Sequence, residues 1–179
     1  MLNLSPLTPE ARPIVEAAAA IYLQHLQPWL VGLVVHGSAL KGGFLPGCSD
    51  IDLLVFLDQQ AFATPTGLPA LLCLALHRDL SQLDPTPFRL VQCRAFATLP
   101  EGHTGLVPGA YHRLSGRMPV AEATREELVL SARQAFQQLI PVPPKLVGSL
   151  LEHGKGHLAW QVRWLCTGVW PTLSQLLVL

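Results

Sequence analysis

Apolar positions recur at spacings of three and four through residues 9–27, where Ile14, Ala17, Ala18, Ile21 and His25 share one side of a helix. Thr8 or Ser5, each followed by a proline, can start that helix, and Pro28 interrupts it. The period then changes. Leu30–His36 is a short, valine-rich apolar run that reads as a buried strand, and Asp52–Leu57 reads the same way. The connector between them is rich in glycine, with room for one helical turn at Ala39–Lys41. Pro65, Gly67 and Pro69 break the chain ahead of a helix over 69–82. Asp84-Pro85-Thr86-Pro87 marks a turn before a third strand, Phe88–Cys93. Residues 98–120, rich in glycine and proline, read as a long irregular loop. Helices follow over about 122–139, 143–152 and 157–169, with Pro141, Pro143 and Pro144 separating the first pair. Trp170-Pro171 stops the last of these, and Thr172–Leu179 starts a further, apolar one.

Composition narrows the class. Half of the 179 residues are apolar and 13% are charged, which suits a folded chain with a real core and not a disordered one. Twelve basic residues balance twelve acidic ones, so no basic surplus points to long nucleic acids or anionic membranes as partners. Cys48, Cys73, Cys93 and Cys166 lie far apart and form no CxxC pair, which argues against zinc and for reduced thiols in a cytoplasmic protein. No signal peptide is visible, and the longest apolar runs fall short of a membrane span.

The candidate chemistry lies where the two strand candidates are joined. Side chains alternate along a strand, so Asp50 and Asp52 share a face while Ile51 points into the core. Two carboxylates that close repel unless a cation sits between them, and Mg²⁺ commonly combines one or two carboxylates with substrate phosphates. Gly37, at the end of the first strand, allows close approach of a ligand to the backbone. Ser38 can open a helical turn whose N–H groups, with its hydroxyl, suit a phosphate. Gly42 and Gly43 let the chain turn back toward Ser38, and Lys41 is a candidate cation beside the phosphates. The layout is that of a site for a nucleoside triphosphate and a divalent metal.

Residues 37–55, including Pro46 and Ser49, resemble the signature of the nucleotidyltransferase superfamily founded on the DNA polymerase β fold. Within it they look most like the aminoglycoside adenylyltransferase branch. A later segment, Leu158–Gln175 with Trp164, Cys166-Thr167-Gly168 and Ser174, is faintly similar to a C-terminal helix of that branch. The resemblance implies an α/β (α+β) fold with a small mixed β-sheet and flanking helices over residues 1–120, and a C-terminal helical segment over 121–179. It also implies transfer of a nucleoside monophosphate, from ATP or another NTP, to a hydroxyl of a small acceptor, with release of pyrophosphate. Asp50 and Asp52 would hold Mg²⁺ as the catalytic pair, and Gly37, Ser38, Lys41 and Ser49 would contact the nucleotide.

The family adds a third carboxylate from a later strand. At the position expected for it, strand 88–93 carries Arg89. Asp84, Glu101, His103 and His112 are the substitutes within sequence reach. That departure, with the apolar terminus, motivates a second expectation: a catalytically weak or inactive member that binds nucleotide or a protein partner, as an antitoxin does. His153 and His157 lie at i and i+4, but Gly154 and Gly156 disfavour the helix that would pair them. Trp160, Trp164 and Trp170 read as core or interface.

Overall fold

The computed structural model describes residues 2–64, 67–97 and 105–139, together with residues 147, 148, 151, 152, 154, 157 and 161. The chain divides into two compact units, Met1–Glu122 and Ala123–Leu179.

The first unit is built on a four-stranded mixed sheet. Helix α1 (Arg12–Leu26) precedes strand β1 (Leu30–His36), the short helix α2 (Ser38–Lys41), strand β2 (Ile51–Leu57), helix α3 (Ala70–Leu80) and strands β3 (Val91–Phe96) and β4 (Tyr111–Gly116). The spatial order is β3-β2-β1-β4, with β1 antiparallel to both neighbours and β2 parallel to β3. A parallel pair needs a crossover, and the segment carrying α3 supplies it. This is a mixed α/β architecture.

The Thr8 hydroxyl accepts the Ala11 N–H at 3.3 Å and the Thr8 carbonyl accepts that of Arg12 at 3.0 Å, a turn that leads into α1, where Pro13 is the second residue. The buried stripe of α1 is Ile14, Val15, Ala18, Ala19, Tyr22 and Leu26. It is turned slightly from the expected one. His25 instead sits at the margin, its Nε2 2.7 Å from Oδ2 of Asp79 on α3. Pro28, which lacks an N–H, ends the α-helix in a 3₁₀ turn, Gln27–Trp29. Strand β1 is central and apolar on both faces. Leu33 and Val35 join the core under α1 and α3, and Val34 is fully buried on the other face. Ile51, Leu53, Val55 and Leu57 of β2 complete the same core. Each such side chain contributes about 1.5–3 kcal/mol by leaving water.

Two expectations need correction. The third strand runs Val91–Phe96, three residues later than expected, because Phe88 is spent on packing the turn before it. The segment expected to be a loop over 98–120 contains strand β4, Tyr111–Gly116. Its pattern, Tyr-His-Arg-Leu-Ser-Gly, is too polar to announce itself; its backbone is recruited by the free side of β1.

In the second unit, helix α4 runs Arg125–Leu139. Thr124 and Glu127 form a capping box: the Glu127 N–H donates to the Thr124 hydroxyl at 3.2 Å, and the Thr124 N–H to the Glu127 carboxylate at 2.7 Å. Leu128 and Ala132, one turn apart, are buried. The expected helices over 143–152 and 157–169, the apolar terminus, Trp160, Trp164 and Trp170, and the His153 partner of His157 lie wholly or largely outside the described residues. No helix among the described residues is long and apolar enough to cross a membrane.

Candidate functional site

The site forms where β1 hands over to β2. Gly37 leaves β1 with φ +75° and ψ −142°, a conformation that L-residues with side chains avoid, and this turn starts α2 at Ser38. A Cβ added to Gly37 would stand 3.1 Å from Oδ2 of Asp52, so the carboxylate lies against the bare backbone. The Ser38 hydroxyl donates to the Asp50 carbonyl at 2.9 Å. One short hydrogen bond thus ties the Gly-Ser turn to the start of the strand that carries both carboxylates.

The connector is anchored along its length. The Ser49 hydroxyl accepts the Leu45 N–H at 2.9 Å, and the rings of Phe44 and Phe88 stack with centroids 4.6 Å apart. The Gly47 N–H donates to the Pro87 carbonyl and the Arg89 N–H to the Ser49 carbonyl, both at 2.9 Å. Ile51 is fully buried between half-buried Asp50 and Asp52, the alternation that strand geometry requires. Ser49 therefore acts on the loop, and the Ser38 proton is engaged by Asp50 instead of pointing outward. Lys41 is the last residue of α2. The N–H groups of Ser38 and Ala39, at the start of α2, have no acceptor within it.

Register identifies the neighbours of Asp52. Across β1 its partner is His36, and across β3 it is Gln92. Arg94 follows on the same face of β3, opposite Leu54, and Tyr111 of β4 lies opposite His36. Burial draws the His36 imidazole below its ordinary range; the Asp52 carboxylate draws it back up, and the Arg94 guanidinium pushes it further down. The Tyr111 hydroxyl donates to Glu122 at 2.7 Å, a bond that raises the phenol's pKa.

Of the substitutes for a third acid, the described Asp84 and His112 do not join this face. Arg89 precedes β3 and is exposed, so the residues flanking the carboxylates are Gln92 and Arg94. Asp84 is exposed, accepting the Thr86 N–H at 2.9 Å in the turn, which lowers its pKa. His112 pairs with Val35, whose side chain belongs to the core face, and its Nε2 lies 2.9 Å from the Asn3 carbonyl. Glu101 and His103 lie outside the described residues. Sequence reasoning missed His36, Gln92 and Arg94. His36 was within reach: it stands next to Gly37, and an antiparallel hairpin of these two strands sets it across from Asp52.

Among the described residues no group of three His, Cys, Asp or Glu side chains is placed to hold a metal. The donors available are two carboxylates beside a glycine that leaves room at the backbone. That set fits a hard cation sharing its remaining positions with phosphate oxygens and water, and it does not fit a metal that needs a closed protein cage.

Residues 20–96 match the nucleotidyltransferase domain. The matched stretch runs from the middle of α1 to the end of β3 and includes Gly37-Ser38 and Asp50-Ile51-Asp52. It supports the nucleotidyltransferase superfamily, with nucleotidyl transfer as the general chemistry of this segment. No curated protein matches the chain.

Proposed function

We propose that this chain transfers a nucleoside monophosphate, AMP in the first instance, from a nucleoside triphosphate to a hydroxyl of a small acceptor. The observation that carries this reading is the Ser38–Asp50 hydrogen bond, which seats a glycine turn against the two-carboxylate strand. Phosphate oxygens approach the first N–H groups of α2. Asp50 and Asp52 would hold Mg²⁺, which when bound neutralises charge on the phosphoryl group in transit. The acceptor oxygen attacks the α-phosphorus, the bond to the bridging oxygen breaks, and pyrophosphate departs with that electron pair. The acceptor's hydroxyl proton passes to water or to a base outside β3, since Gln92 and Arg94 cannot take it at neutral pH. The resemblance of residues 37–55 to the aminoglycoside adenylyltransferase signature supports the adenylyl group and a small acceptor. Dispersed cysteines, with Cys48, Cys73 and Cys93 free, support a reducing, cytoplasmic setting.

Transfer of α-labelled NTPs to a panel of hydroxylated acceptors, with Mg²⁺ and with Asp52→Ala as control, tests the proposal. Label should reach an acceptor with the intact protein and not with the variant. Calorimetric nucleotide binding with no transfer to any acceptor would sink the enzymatic reading and leave a nucleotide-binding protein.

A further inference from the structure

The carboxylate face carries a cation that the proposed chemistry has not yet used. Arg94 is exposed, and among the described residues it makes no ion pair. It follows Gln92, the register partner of Asp52, by two residues, so its side chain emerges on the same face. Diagonal neighbours of this kind stand about 7–8 Å apart, within reach of a long side chain.

A triphosphate brings several negative charges to a face that already holds two carboxylates, and one divalent cation does not neutralise both. A planar guanidinium with paired N–H donors matches two phosphate oxygens at once. We infer that Arg94 grips a phosphate group of the bound nucleotide, serving as a resident positive charge beside a single divalent ion. This assignment rests on the nucleotidyl-transfer reading and adds a positioning residue on a strand that offers no acid. The same chemistry would also hold a phosphate carried by the acceptor, so the two sources must be separated.

The test measures calorimetric binding of α,β-methylene analogues of the four common NTPs, with Mg²⁺, to the wild type, Arg94→Gln and Arg94→Lys. Binding of phosphorylated acceptor candidates is measured in parallel. Loss of a charged hydrogen-bond pair corresponds to a drop of about ten- to a hundredfold in analogue affinity for Arg94→Gln. Part of the loss should return in Arg94→Lys, and the thermal midpoint without ligand should stay unchanged. Equal analogue affinity in wild type and Arg94→Gln, with transfer intact, overturns the assignment and leaves the function standing. So does an effect confined to phosphorylated acceptors, or a loss that tracks a fall in stability and is not restored by lysine. A wild type that binds none of the analogues overturns the function, and the assignment falls with it.

Discussion

Replacing Gly37 by alanine separates two costs that the structure assigns to one position. The first is backbone strain. With φ +75° and ψ −142°, the residue lies in a region nearly exclusive to glycine, and a side chain there costs on the order of 1–3 kcal/mol. The second is contact: the new Cβ would stand 3.1 Å from Oδ2 of Asp52, so the carboxylate must give by a few tenths of an ångström. Gly43 provides the control, because its φ is +68° and nothing lies within 4 Å of an added Cβ. Gly43→Ala therefore carries strain without the contact. Typical domains are stable by about 5–15 kcal/mol, so both variants should fold and be measurable. Urea midpoints should fall in both. The proposed nucleotidyl transfer, assayed with Mg²⁺, should fall further in Gly37→Ala, by about two- to tenfold, since misplacing a reacting group by about 1 Å can cost a hundredfold. Equal transfer rates in the two variants would refute the idea that Gly37 is there to leave space for Asp52.

Gln92→Asp sets a third carboxylate opposite Asp52, and should tighten Mn²⁺ or Mg²⁺ binding measured by calorimetry; unchanged affinity would contradict the β2–β3 register. Burial pushes the Cys93 thiol up to about 12, so peptide-level mass spectrometry after iodoacetamide at pH 8 should find exposed Cys48 and Cys73 alkylated and Cys93 protected until denaturant is added. Hydrogen bonds from His25 and then Arg78 hold Asp79 below the usual carboxylate range. Its stabilisation is therefore present above the unfolded value near about 3.9 and is lost as pH falls through the lower folded value. The gap in urea midpoint between wild type and Asp79→Asn should be open at pH 6 and close below about pH 4; a gap constant down to pH 2 would rule out the ion pair as its source.

What could be read from the chain and what could not divide along a physical line. Valine-rich runs on either side of a glycine connector are local signals, and both strands formed as the pattern required. The alternation that sets half-buried Asp50 and Asp52 on the face opposite buried Ile51 is likewise a property of one strand. Register is different. Whether Arg89 or Arg94 faces the carboxylates depends on where β3 docks against β2, and that is decided by contacts distant in sequence. Phe88 stacks on Phe44 and the Arg89 N–H closes on Ser49, so these two residues form the clasp on the connector. The paired segment begins three residues further on, and an odd shift reverses which side chains face the site. Strand β4 is a stronger instance, since a polar hexapeptide has no reason to be a strand until β1 presents an unpaired edge. The carboxylates were legible because they sit in one strand; the residues that flank them were not, because His36 meets Asp52 across the β1–β2 pairing and Gln92 and Arg94 stand beside it across the β2–β3 pairing. A site of this kind can therefore keep its Gly-Ser and Asp-x-Asp signature unchanged while a register shift in the next strand changes the charge that confronts its substrate.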